Sequence, residues 1–115
     1  MSAPAIDRAI FGELQEAAGA EFVTELVDTF LEDAPALLAE LRAARTVADP
    51  DRFRRAAHSL KSNSQTFGAT ALGKLARALE LNGLNTDAAA DVAAIDAIDA
   101  AYALAAAELK AISHG

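Results

Sequence analysis

At 115 residues the chain has room for one domain, spanning 1–115, with a single modest core. It carries a net charge of −7 and 31 alanines. Alanine is the best helix former and buries little area, so the composition predicts an all-α protein with closely approaching helices. β-Branched and aromatic residues are too few and too scattered for a sheet.

The chain lacks cysteine, which excludes disulfides and thiolate metal sites. The opening Met1-Ser2-Ala3-Pro4 lacks the basic-then-apolar pattern of a signal peptide. No apolar run approaches the ~20 residues needed to span a bilayer. No membrane association and a cytoplasmic location are therefore expected.

Five helical segments follow from period and punctuation. The first is predicted over 7–18, with Ile6, Ile10 and Leu14 as its apolar stripe and Gly19 as a stop. The second is predicted over 21–44, with Phe22, Leu26, Phe30, Leu37 and Leu41 facing inward. Pro35 falls inside it, where it removes a backbone donor and crowds the preceding turn. The apolar stripe continues through Pro35, so a kink is expected rather than a break; Asp33 is the alternative cap for a separate second half.

The third helix opens at Asp49-Pro50-Asp51, where a capping aspartate and a first-turn proline make a strong start. Gly68 closes it as a left-handed C-terminal residue. The fourth is predicted over 69–82, with Leu72, Leu75 and Leu79 inward, Gly73 as a weak point and Gly83 as terminator. The fifth is predicted over 86–112, with Val92, Ile95, Tyr102 and Leu109 on one face and a frayed end at 113–115. Short connections imply antiparallel neighbours. The expected architecture is an antiparallel up-down-up-down four-helix bundle with a short additional N-terminal helix.

Charge is unevenly distributed. Between positions 42 and 77 stand Arg42, Arg45, Arg52, Arg54, Arg55, Lys61, Lys74 and Arg77, against Asp49 and Asp51 alone. That segment is +6, and the rest of the chain is −13. The overall charge argues against a nucleic-acid partner, because it repels phosphate backbones. An acidic protein pocket or a single phosphoryl group suits the basic island better.

One stretch within the island carries chemistry: Ala57-His58-Ser59-Leu60-Lys61-Ser62-Asn63-Ser64-Gln65-Thr66-Phe67-Gly68. With His58 at 0° on a helical wheel, Lys61 falls at about −60°, Ser62 at about +40°, Gln65 at about −20°, Arg54 at about −40° and Arg55 at about +60°. Phe53, Leu60 and Phe67 fall on the opposite side. The helix is therefore expected to bury its phenylalanines and hold His58 out to solvent.

Neutral imidazole is a nucleophile, and nearby cations disfavour its protonated form. Once a phosphoryl group sits on the ring, Lys61 can neutralise it and Gln65 can add a neutral donor. Ser62 is small enough for a partner to approach. Phosphoryl transfer also needs metal and in-line geometry. The chain offers no glycine-rich phosphate loop and no carboxylate cluster for magnesium, so the catalytic apparatus is expected on a partner.

These residues, followed by Leu72, Leu75, Leu79 and Glu80, resemble the histidine-containing phosphotransfer (HPt) domain family. Phe30-Leu31-Glu32-Asp33-Ala34-Pro35 is similar to the family's second helix. The resemblance runs from Ile6 to about Glu80, with the last helix matching in character only. It implies a phosphorelay intermediate, not an enzyme. His58 would accept a phosphoryl group from a phospho-aspartate on one receiver domain and pass it to an aspartate on another.

The implied partners are receiver domains of response regulators and of a hybrid histidine kinase, in transient complexes. The chain is expected to have no cofactor of its own, with Mg on the receiver. Arg54, Arg55, Ser62 and Gly68 are expected at the docking face; a closed bundle of this length suggests a monomer, the absence of receiver or ATP-binding segments a free-standing shuttle, and the few lysines beside many alanines and arginines a bacterial source. The position after the lysine is often glycine in the family and is Ser62 here, which bears on partner fit or phosphohistidine lifetime.

Two other readings compete with this one. A non-phosphorylated helical adaptor would keep the bundle and bind receivers or kinases by shape; intact His58 and Lys61 weigh against it. A hydrolase or metal enzyme would need more ligands near His58, and the only other histidine is His114 in the tail. A Ser59 or Ser62 nucleophile would lack an orienting acid.

Overall fold

The computed structural model describes residues 5–114; the expectations for Met1 to Pro4 and for Gly115 lie outside these residues. It contains five helices and no strand among the described residues: α1 (Arg8–Ala18), α2 (Ala20–Thr46), α3 (Pro50–Thr66), α4 (Thr70–Asn82) and α5 (Ala88–His114). α3 packs against α2 and α4, and α5 closes the ring by packing against the same two helices. α1 leans on α2 and α3.

The helix starts follow their local chemistry. The Asp7 carboxylate accepts from the backbone N–H groups of Ala9 and Ile10, and Asp49 accepts from that of Arg52. Pro50 occupies the first position of α3, where a missing N–H costs nothing. α2 runs unbroken across Pro35, so the alternative of a separate second half capped by Asp33 is not what forms. α5 continues through His114, and the Ser113 hydroxyl donates to the Leu109 carbonyl, so the frayed end expected at 113–115 is helical through 114.

The core is built from Phe11, Val27, Phe30, Leu41, Phe53, Leu60, Leu72, Ile95, Ile98 and Leu109. Phe30 sits 5.2 Å from Phe67 and 5.9 Å from Tyr102, centroid to centroid. Ala34, Ala44, Ala57, Ala69 and Ala76 are all fully buried and bring the helices close.

The predicted stripes are partly displaced. Phe22 and Val92 are exposed, and Ile10 is at the edge of exposure. Val23, Val27 and Phe30 carry the first half of α2 instead, and Phe11 replaces Ile10 in α1. A shift of one residue turns a helix by about 100°, and the small Ala34 continues the buried line of α2.

Gly68 has a structural task. Its φ is +79°, and its carbonyl accepts from the Asp7 N–H at 2.8 Å, tying the start of α1 to the end of α3. An added Cβ would stand 2.8 Å from the Asp7 carbonyl oxygen. The residue is buried beneath this junction, so it does not stand at the docking face as expected. Gly68→Ala is expected to destabilise the protein by about 2–4 kcal/mol, from left-handed strain plus overpacking. Urea denaturation would measure the loss.

Candidate functional site

α3 holds His58 outward because Phe53 and Leu60, on its other face, are fully buried. The imidazole side chain is 57% exposed. Rising residue numbers on α3 meet falling numbers on α4: Arg54 lies near Gly83, His58 beside Glu80, and Gln65 beside Gly73. This register brings an acid from α4 against the histidine. His58 Nδ1 lies 2.6 Å from Glu80 Oε2, and the other carboxylate oxygen lies 2.8 Å from Lys61 Nζ.

The pairing fixes a protonation pattern. The Lys61 hydrogen bond lowers the Glu80 pKa below its ordinary value; partial burial opposes this and the His58 contact assists it. An ionised carboxylate only accepts hydrogen bonds, so Nδ1 must donate. In the neutral ring the lone pair then resides on Nε2, which points away from Glu80. The site thus presents one exposed nitrogen nucleophile with a preset tautomer.

The other expected residues separate. Lys61 is largely covered, with 20% of its side chain exposed, and is engaged by Glu80 rather than standing free at the surface. Gln65 shares the wheel direction of His58 but lies about 10 Å further along the helix. It lines a different cleft, with Ile10, Thr70, Lys74 and Arg77, and has no hydrogen bond to His58. Arg54 extends over the end of α4, where its guanidinium comes within 3.6 Å of a Cβ built on Gly83. Arg55 leans the other way, donating to the Asp51 carbonyl and lining a groove with Leu37 and Ser59. Both arginines are exposed and lack an acidic partner among the described residues.

The basic island also divides. Arg42 pairs with Asp96 and Asp99 on α5, Arg45 with the buried Asp91, and Arg52 with Glu40. These three arginines staple the scaffold. Arg54, Arg55, Lys74 and Arg77 are left as unpaired positive charge among the described residues, fewer than the sequence count implies. An open cleft of about 560 Å³ lies on the α2 side of His58, lined by Asp33, Ala36, Leu37, Glu40, His58, Ser59, Ser62 and Asn63.

Glu80 is the functional residue that the sequence reading passed over. Its 22-residue separation from His58 hides the contact from a reading of local sequence. Its one sequence signature is an acid beside the buried leucine stripe of α4. Among the described residues no three His, Asp or Glu side chains gather as a metal centre would. No helix among them is long and apolar enough to cross a membrane.

Comparison with known proteins agrees with this geometry. The crystal structure of histidine-containing phosphotransfer protein B (HptB) from Pseudomonas aeruginosa PAO1 superposes with a TM-score of 0.84 at 29% identity, covering 98% of this chain and 97% of that one. No curated protein gives a significant match. The family model of the Hpt domain matches residues 25–112, from within α2 to near the end of α5. The chain therefore belongs to the Hpt domain family.

Proposed function

We propose that this chain is a histidine phosphotransfer protein of a phosphorelay and that His58 is its phosphoacceptor. The observation that carries the residue assignment is the exposed imidazole whose Nδ1 is held by Glu80. Its Nε2 attacks the phosphorus of a receiver's aspartyl phosphate. The N–P bond forms as the acyl P–O bond breaks, and the aspartate leaves as a carboxylate. The Nδ1 proton stays in place, so the phosphorylated ring is cationic and Glu80 offsets that charge. Reversal onto a second receiver completes the relay.

In this reading the chain is a carrier and not an enzyme, and the receiver supplies Mg and the in-line geometry. The partners are receiver domains of response regulators and of a hybrid histidine kinase. They dock over α3 with Arg54, Arg55 and Ser62 at the rim. Gln65 is too far along the helix to serve as the auxiliary donor without moving. The protein acts as a cytoplasmic monomer of one domain, an antiparallel up-down-up-down bundle with α1 added, and does not bind nucleic acid.

The test is transfer of labelled phosphate from a phosphorylated receiver. Acid-labile label on this chain supports the reading, and none from any receiver in a broad panel defeats it.

Lys61 has two successive tasks. Before transfer it holds Glu80; after transfer its ammonium can swing to the phosphoryl oxygens. Lys61→Ala is expected to keep the helical circular dichroism spectrum and slow transfer roughly 10-fold, the loss of one charge-assisted hydrogen bond. A wild-type rate in a short-time transfer assay would remove Lys61 from the mechanism.

A further inference from the structure

Hydroxyl groups inside helices commonly turn back to the carbonyl four residues earlier. Thr24, Thr29, Thr46, Ser64, Thr66 and Ser113 all do so here. Among the serines and threonines described beyond the first turn of each helix, Ser59 and Ser62 are the two whose hydroxyls do not. Both line the cleft beside His58. Ser62 is exposed and its hydroxyl makes no hydrogen bond, although its neighbours Ser64 and Thr66 are both back-bonded, Thr66 to the Ser62 carbonyl itself.

The geometry places these hydroxyls on the cleft wall that His58 also lines. Glu80 draws Nδ1 toward α4, which leaves Nε2 on the far side of the ring from that contact, and the imidazole lines the α2-side cleft. Ser62 lies one turn C-terminal to His58, about 40° round the helix. Side chains on a helix tilt toward its N-terminus, so Ser62 leans back over the turn that bears His58. Asp33 and Glu40 face the cleft from α2 and would repel a phosphoryl group. Donation must therefore come from the α3 wall. On that wall Ser59, Ser62 and Asn63 carry donors, with Asn63 about 140° round the helix from His58, whereas Lys61 starts from Glu80 on the opposite flank and reaches a phosphoryl group from that other side.

We infer that the α3 wall of this cleft is a phosphoryl subsite in which the Ser62 hydroxyl hydrogen-bonds the phosphoryl group on His58 Nε2, with Ser59 beside it. This rests on the reading of His58 as phosphoacceptor. A glycine at position 62 would leave that side of the phosphoryl group to water. Ser62 thus sets how strongly the carrier retains its phosphoryl group, and not only how closely a partner approaches.

Retention and docking separate experimentally. The equilibrium constant for sharing a phosphoryl group between this protein and one fixed receiver depends only on the free proteins, whereas a docking defect changes forward and reverse rates by the same factor. The experiment measures that constant from both directions for wild type, Ser62→Ala and Ser62→Gly. Both variants lack the hydroxyl, and the site is exposed, so neither threatens the fold.

The subsite requires both variants to shift the equilibrium roughly 5-fold toward the receiver, the loss of one hydrogen bond to a charged group at an exposed site. Unchanged equilibrium constants, with or without slower rates, overturn the subsite while leaving His58 as carrier. A wild-type protein that acquires no phosphohistidine overturns both.

Discussion

His58→Gln is expected to acquire no acid-labile label from any phosphorylated receiver, while melting close to the wild-type temperature. Glutamine keeps a polar side chain of similar length but has no ring nitrogen to attack phosphorus. The position is exposed, its core-facing neighbours Phe53 and Leu60 are untouched, and Glu80 retains Lys61. Exposed substitutions of this kind usually change stability by less than about 0.5 kcal/mol. The expected outcome is therefore a complete functional loss without a folding loss.

The chain's other histidine, His114, is the last residue of α5, and His114→Gln is the control. It should label at the wild-type rate. Labelling of His58→Gln at the wild-type rate would remove His58 as acceptor. Undiminished receiver binding by His58→Gln, with no label on the wild type, would favour a shape-reading adaptor.

Local sequence rules located the helices well because their ends are marked by local chemistry. Asp7, Asp49 and Pro50 cap or start helices through groups two or three residues away, and Gly19, Gly68 and Gly83 sit at positive φ where helices stop. The inward faces were harder to read. Phe22 is larger and more apolar than Ala34, yet Phe22 faces solvent and Ala34 is buried. Side-chain size misleads where alanine spaces the helices, since the tightest contacts are then made by the smallest residues.

The candidate site was legible to the extent that it lies on one helix. The outward direction of His58 follows from the wheel positions of Phe53, Leu60 and Phe67. Gln65 shows the limit of a wheel, which reports direction but omits rise along the axis. The charge count had a related limit. Arg42, Arg45 and Arg52 lie close to His58 in sequence, yet their partners Asp96, Asp91 and Glu40 hold them as struts. A net charge summed along sequence cannot separate a strut from a steering charge. The positive field is concentrated instead on Arg54, Arg55, Lys74 and Arg77, where it remains available to orient an acidic partner.

Glu80→Ala is expected to slow phosphoryl transfer to His58 by about 10- to 100-fold, the usual cost of losing a group that orients a reactive histidine. Glu80 is a positioning residue that acts through the imidazole tautomer. With the carboxylate present, the proton sits on Nδ1 and Nε2 is free to attack. Without it, a neutral imidazole reverts toward the Nε2–H form, which is not nucleophilic at the nitrogen facing the partner. ¹⁵N chemical shifts of the His58 ring above pH 8 read this directly: Nδ1–H is expected in the wild type and a shift toward Nε2–H in Glu80→Ala.

Glu80→Gln should fall between the two, because its amide oxygen can still accept from Nδ1 but brings no charge to offset the phosphorylated ring. The Lys61→Ala/Glu80→Ala double variant should lose less than the sum of the single losses, since the two side chains act through one contact. The sign of the pH dependence follows from the lowered Glu80 pKa. The ionised carboxylate contributes above the ordinary carboxylate range, and its contribution disappears only as pH falls through the lowered value. Glu80 therefore stays an ionised acceptor for Nδ1–H throughout the neutral range and loses that role only in acid. A wild-type transfer rate and an unchanged ring tautomer in Glu80→Ala would show that the 2.6 Å contact is structural and that Nε2 is selected by some other group.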